Sequence, residues 1–224
     1  MATLLLRLAG PLQSWGVDSK FETRRTQPFP TKSGVIGMLA AALGISREDD
    51  EALKGLNKLK FGVRVDKEGE LLHDFHTAVG EKAYLTHRYY LSDAIFVAAV
   101  ESDDETVKKL EYALKNPAFP LFLGRRSCPP TMPIVLGVRS KELVTALQEE
   151  PWQADETIYK KEDGKLRLIT DGNAEDVMSV VRDVPVSFSK YHRKFTWRNV
   201  KEHKPVTVKS EKQNFEHDPF TELG

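Results

Sequence analysis

The chain lacks most of the features that would disclose a chemistry at once. It holds one cysteine, Cys128, in 224 residues. No disulfide can form within it, and the composition fits a reducing, cytoplasmic setting. One cysteine also removes the common thiolate zinc sets, so no metal is expected. No apolar run reaches membrane-spanning length. The run Leu4 to Leu6 is too short for a signal peptide and is followed by Arg7, so no membrane partner is expected either. The formal net charge is zero, with 33 Lys and Arg against 33 Asp and Glu. That balance argues against a free, nonspecific coater of nucleic acid. The patterns GxGxxG and GxxxxGK[ST] are both missing, which removes the dinucleotide and phosphate-loop classes, so no cofactor is implied. An RNP1 aromatic pattern is missing too, and there is no internal repeat.

What remains is an ordinary globular composition, 40% apolar and 29% charged, with enough chain to bury a core. The charges are segregated. Residues 187–204 carry six Lys or Arg against one acid, Glu202, while acids gather at 47–51, 101–105 and 149–156. Segregated signs that sum to zero suit a chain that grips a polyanion on one face and meets protein on others.

The most informative segment is FETRRTQPFPTKSGVIGMLAAALG, residues 21–44. Pro28 and Pro30 hold the approach extended. Thr31 is placed to cap a helix over 32–43, with Ser33 and Gly34 in its first turn, and Gly44 stops it. Free first-turn N–H groups beside Arg24, Arg25 and Lys32 would make an anion seat, a reading that weighs evenly against a plain capped core helix.

Elsewhere, residues 3–8, 61–65, 94–100 and 133–138 read as strands, and two further helices are expected. Ser46 and Ser102 begin capping boxes for these helices. Residues 71–79 and 84–91 form a hairpin around Gly80–Ala83, polar and aromatic on both faces, which projects as an arm. The order is β-α-β-β-α-β, an α+β ferredoxin-like (RRM-like) domain over 1–138 with the arm, about 67–92, inserted as a thumb. Residues 139–224 read as a smaller β-rich C-terminal lobe. It opens with a short helix at 140–148. A hairpin at 157–170 and strands at 184–188 and 205–208 follow, with the basic stretch between those two strands. The last dozen residues are expected to lack order without a partner.

Several groups suit single-stranded RNA, where Tyr and His stack on bases and Lys and Arg meet phosphates. The arm offers His76, His87, Arg88, Tyr89 and Tyr90. A Gly/Pro-rich loop carries Arg125, Arg126 and Ser127. The C-terminal basic stretch adds His192 and Arg193. Gln13, Ser14 and Trp15 form a loop after the first strand, where Trp15 either stacks or plugs the core, the core role being favoured. The same histidines and cations leave open a metal-independent endoribonuclease. Gripping is favoured over cutting because it tolerates more geometries.

The blocks LLLRLAGPLQSWG, FxxRxTxPFPTKSGVIGMLAAALG, RYYLSDAIF and FLGRRSC occur in order, followed by KYHRKFTWR and HDPF. In this the chain resembles the CasD family, the Cas5-type RAMP subunits of the type I-E CRISPR surveillance complex, Cascade. The resemblance implies a ferredoxin-like core with a thumb hairpin and noncatalytic binding of the 5′ handle of CRISPR RNA. It also implies contacts with the large subunit and a backbone subunit, while target DNA is met only indirectly. Relatives of subtype I-C cut precursor RNA, but the I-E form leaves cutting to a separate endoribonuclease. No catalytic residue is therefore carried over.

Overall fold

The computed structural model describes residues 1–17, 22–79, 83–155, 165–173 and 177–208. Two largely apolar strands make its centre. They are β1 (Ala2–Ala9) and β7 (Ile95–Ser102), paired antiparallel from Ala2 with Ser102 to Ala9 with Ile95. Period-two alternation sends Leu4, Leu6 and Leu8 to one face and Leu5 to the other, and the two sets lie in two separate cores.

The first face is covered by α1 (Lys32–Leu43), α2 (Asp50–Asn57) and α3 (Asp104–Lys115). Ile36, Leu39, Val107 and Leu110 pack there with Phe96 and Val100. The opposite face is covered by α4 (Leu143–Glu149), whose Leu143, Ala146 and Leu147 meet Leu5, Val97 and Ala99. Flanking the central pair run β4 (Lys60–Lys67), antiparallel to β7, and β8 (Val135–Arg139), antiparallel to β1.

The C-terminal strands do not build a separate sheet. β9 (Lys165–Asp171) hydrogen-bonds antiparallel along β4, and β11 (Lys194–Glu202) and β10 (Ser179–Ser187) continue outward. The order is β10-β11-β9-β4-β7-β1-β8, with β12 (Val206–Thr207) also on β9. This pairing runs across the boundary expected at 138, because β4 uses its other edge to seat β9. The basic stretch, expected to lie between strands, is itself β11. Of the hairpin expected at 157–170, β9 takes the second half. Residues 156–164 and the tail from 209 lie outside the described residues.

Both Ser-led capping boxes move by some residues. Asp49, not Ser46, caps α2 by accepting from the Ala52 N–H at 2.9 Å, and Asp103, not Ser102, caps α3 by accepting from Thr106 N–H at 2.9 Å. A carboxylate adds charge attraction to the N-terminal dipole, which a hydroxyl lacks. α4 has no side-chain cap of its own. Buried Glu101 of β7 accepts from its Leu143 N–H at 2.7 Å instead.

One arginine ties the lower face together. Arg64 of β4 is fully buried, and all five of its N–H donors are used. Nε and Nη2 reach the two carboxylate oxygens of Asp66 at 2.7 and 2.8 Å. Nη1 donates to the carbonyls of Leu147 and Glu150, and Nη2 also to that of Pro151. The segment that leaves α4 is thus clamped onto β4 by a fork that only arginine provides.

The arm forms as the alternation requires. β5 (Glu70–Val79) and β6 (Ala83–Ser92) pair throughout, while 80–82 lie outside the described residues. Its root is held along the edge of β6 left free by β5: β2 (Leu12–Gln13) pairs there antiparallel and β3 (Thr23–Arg24) parallel.

Candidate nucleic-acid interface

At the start of α1 the expected helix is present. Thr31 caps it by accepting from Gly34 N–H at 3.2 Å, and Gly44 closes it at φ +74°. The expected free anion seat is not present. Asp183 of β10 fills it, accepting the Lys32 backbone N–H at 2.8 Å. The Lys32 ammonium is itself buried and donates to Asp171 at 2.9 Å. Arg198 of β11 completes the network, bonded to both oxygens of Asp183 and to Asp171. The helix dipole and both cations are therefore met by two carboxylates of the chain. Lys32, Thr31 and Ser33 are all buried.

Gly34 is explained differently as well. A Cβ there would lie 2.7 Å from the Trp15 ring, so the glycine makes room for the indole. Trp15 is 1% exposed and plugs the core, its indole N–H donating to Gln13 Oε1 at 3.1 Å. Gln13 Nε2 donates to the carbonyls of Leu8 and Ala94, and Ser14 Oγ to that of Tyr89. All three side chains knit the root of the arm to the sheet.

The exposed donors gather one layer away. Thr23 and Arg24 of β3 lie beside His87 and Arg88 of β6. Arg125, in the loop after α3, reaches across to donate to the Arg24 carbonyl at 2.6 Å, with its guanidinium 4.8 Å from the centre of the Tyr90 ring. Gly124 makes this approach possible. It sits at φ +84°, where a Cβ would fall 1.9 Å from the Ser14 carbonyl oxygen. Arg24, Arg25, Arg126 and Ser127 are exposed.

Among the described residues, Arg24, Arg25, Arg88, Arg125 and Arg126 have no ion pair, whereas Arg64, Arg139, Arg167 and Arg198 each hold a carboxylate. Arg88 Nε and Arg125 Nη1 are buried with no hydrogen-bond partner at all. Guanidinium N–H groups left unmatched in this way are uncommon in folded chains and fit an anionic partner.

Above this root the arm sorts its side chains by face more sharply than its sequence suggests. Cross-strand partners share a face. Leu71, His73, Phe75, Leu85, His87 and Tyr89 lie together on a face without Asp, Glu, Lys or Arg. His73 stacks on Tyr89 at 4.6 Å and on His87 at 5.1 Å, with a 2.9 Å hydrogen bond between the two imidazoles. The other face carries Asp74, His76 and Arg88. There His76 bonds Asp74 at 2.8 Å, although Arg88 is the directly opposed residue.

His192 and Arg193 stand apart, exposed in the turn between β10 and β11. Partial burial, and secondarily the like charge of Arg47, pulls the Arg193 guanidinium pKa down. Burial pushes the Cys128 thiol up, against smaller opposing effects of Ser127 and Arg125. Cys128 therefore stays protonated and inert. Among the described residues no three His, Cys, Asp or Glu side chains gather to hold a metal, and no helix is long and apolar enough to cross a membrane.

Sequence reasoning passed over Asp183. A lone acid inside the apolar run VVRDVPVSF was the available signal for Asp183, because such a carboxylate must find a cation.

Residues 3–201 match the protein family described as CRISPR-associated protein (Cas_Cas5). The chain is 38% identical to the CRISPR system Cascade subunit CasD of Escherichia coli (strain K12), over 71% of this chain and 81% of that protein. Two solved structures are similar. One is described as the crystal structure of a Cas protein, with 38% identity, a TM-score of 0.73, and coverage of 93% of this chain and 98% of that one. The other is a chain of a CRISPR RNA-guided surveillance complex, with 33% identity, a TM-score of 0.77, and coverage of 98% of each.

Proposed function

The chain belongs to the CRISPR-associated Cas5 family, and on that premise we propose that it is a noncatalytic RNA-binding subunit of a type I-E surveillance complex, Cascade. In this reading it holds the 5′ handle of CRISPR RNA and anchors the large subunit and a backbone subunit beside it. The observation that carries the reading is the set of unpaired arginines at the root of the arm. Arg24, Arg25, Arg125 and Arg126 offer donors for successive phosphates of one strand, and Arg88 lies beneath them. Such contacts position a strand without reading its bases. The arm face without Asp, Glu, Lys or Arg supplies Tyr89, His73 and His87, the kind of stack on which an unpaired base rests.

The strand order β4-β7-β1-β8, with α1 and α3 on one face, supports a ferredoxin-like core, and the arm serves as its thumb. The helix start, occupied by Asp183, takes no phosphate in this reading. A noncatalytic role is supported by the inert Cys128 and by the placing of the histidines. His76 is engaged by Asp74 on the arm, and His192 sits in the turn between β10 and β11.

The test is nuclease protection of the handle in the assembled complex. Arg24→Ala/Arg25→Ala/Arg126→Ala is expected to unmask the handle, while Lys32→Met, in a variant still folded, leaves it protected. Full protection in the triple variant would refute the assignment.

A further inference from the structure

The arm face turned away from the His73–Tyr89 stack carries a second set of groups. Cross-strand pairing and alternation place Leu72, Asp74 and His76 of β5 on it, with Thr86, Arg88 and Tyr90 of β6. Arg88 stands directly opposite Asp74. Opposite charges so placed attract one another across a sheet. Here they do not pair. Asp74 Oδ2 accepts instead from His76 Nε2 at 2.8 Å, further along the same strand. Arg88 is left without an ion pair among the described residues. The His76 side chain is 50% exposed and that of Asp74 42%, so a ligand can reach both.

The bond to Asp74 fixes what the imidazole can take. An ionised carboxylate only accepts, so the nitrogen it holds is Nε2–H, and in the neutral ring Nδ1 remains an acceptor. No described residue donates to that Nδ1. A phosphate of the nucleic-acid backbone cannot use it either, because such a phosphate offers acceptors alone. Its partner must be a donor. The neighbouring cations decide which donor comes near. Arg24 of β3 lies beside Arg88, and the Arg125 guanidinium lies 4.8 Å from the centre of the Tyr90 ring. Arg88 Nε and Arg125 Nη1 have no hydrogen-bond partner. From the root outward the order is Arg125, then Arg24 and Arg88, then His76. Successive same-face residues stand about 7 Å apart along a strand, comparable to one extended nucleotide. A nucleic-acid strand with a phosphate on Arg88 therefore brings a sugar to His76, and the donor on that sugar is the ribose 2′-hydroxyl.

We propose that His76, oriented by Asp74, is a specificity-determining residue whose Nδ1 accepts a hydrogen bond from a ribose 2′-hydroxyl of the strand held at Arg88, so that the arm selects RNA over DNA. The proposal rests on the reading of the arm root as an RNA-binding site. Asp74 leaves Arg88 open for the phosphate and sets the imidazole for the sugar, so one carboxylate serves both contacts without touching the strand. The contact grips and does not cut. Cleavage at a 2′-hydroxyl also needs an acid for the leaving oxygen, and the other two imidazoles of the arm, His73 and His87, lie on the opposite face.

The test is filter binding of the full chain to the handle oligonucleotide of its cognate repeat, made once with ribose and once with deoxyribose throughout, at one salt concentration. Wild type is expected to bind the ribose strand more tightly and to leave it uncut. His76→Ala should weaken that binding about three- to tenfold, the worth of one hydrogen bond, with the deoxyribose strand bound as before. His76→Gln, which retains an acceptor, should keep part of the preference. Asp74→Ala frees the imidazole and should lose part of it. If Asp74 merely screened Arg88, its removal would tighten both strands equally and leave their ratio at the wild-type value. Single 2′-deoxy substitutions in the ribose strand should reveal one position that matters to wild type and not to His76→Ala. Equal binding of both strands by wild type, an unchanged ratio in His76→Ala, or cleavage of the RNA overturns the proposal. Wild-type affinity of Arg24→Ala/Arg25→Ala/Arg126→Ala for the ribose strand would instead count against the arginine-root site.

Discussion

Replacing Asp183 by alanine gives the sharpest test of how the C-terminal strands are fastened. The carboxylate is 1% exposed and accepts three hydrogen bonds: from the Lys32 backbone N–H at 2.8 Å and from Arg198 Nε and Nη2 at 2.7 and 3.0 Å. Its removal leaves two cations, Lys32 and Arg198, facing the single carboxylate of Asp171. It also leaves the first amide of α1 without an acceptor. Removing one partner of a buried ion pair costs about 3–5 kcal/mol. For a chain of this size each kcal/mol lowers Tm by about 2–4 °C, so the midpoint should fall by roughly 6–20 °C. Urea unfolding of the isolated chain measures the free energy directly. Asp183→Asn keeps an acceptor but no charge and should fall between wild type and alanine. In an Asp183→Ala/Arg198→Met double variant, loss of the second partner should recover part of the cost, a coupling of about 0.5–3 kcal/mol. A loss below about 1 kcal/mol in Asp183→Ala would mean the network behaves as a surface pair, and the account of a braced sheet edge would fail.

Four further outcomes are expected. Arg64→Met should destabilise the chain by about 3–5 kcal/mol, since Asp66 stays buried without its cation; calorimetry checks it. Gly124→Ala forces an alanine into φ +84° and against Ser14, which should cost at least about 1–2 kcal/mol and weaken RNA binding, read by denaturation and filter binding together. The Asp103 carboxyl is held down to about 2, first by the Thr106 N–H and then by its hydroxyl. Its folded pKa lies below the unfolded value, so its stabilising effect is complete above about pH 4 and disappears as pH falls toward 2. Asp103→Asn should flatten that part of the Tm–pH curve. Finally, binding of a handle oligonucleotide to the isolated chain should fall steeply with salt. Arg24→Ala/Arg25→Ala/Arg126→Ala should reduce the slope of log K against log salt by about 2, at about 0.7 per phosphate contact on a single strand.

Parts of this molecule were plain in its sequence, and for physical reasons. TLLLRL and AIFVAAV are apolar on both faces and could only be central strands. Thr31 and Gly44 bracket α1 because an N-cap hydroxyl and a left-handed glycine are local requirements, met by local residues. The arm was legible from its paired runs, and the ordered blocks resembled the family to which the chain belongs. The rest depended on distance. Asp183 lies 151 positions from the amide it caps, and no local pattern announces such a pairing. The same separation hid the truth about the α1 start, where a basic, glycine-bearing helix terminus looks identical whether its anion is a ligand or a carboxylate of the chain. Nor does any local pattern explain Gly34, because the Trp15 ring that fills the space beside it comes from another loop. KFTWRNVKE has no clean alternation, since Arg198 points inward as an ion-pair partner, so β11 did not read as a strand. At the root of the arm the individual arginines could be named in advance, but which of them lacked acids could not.

The seating of β9 on β4 also governs how the gene tolerates cutting. Ending the chain before residue 165 would leave β4 with a row of bare amides and carbonyls from Gly62 to Val65, opposite the positions now filled by Thr170 to Arg167. An open, apolar strand edge of that kind invites other chains to add to it. A shortened version would therefore precipitate or self-associate instead of persisting as a minimal RNA-gripping fragment, and any smaller working unit has to be carved from the arm or the surface loops instead.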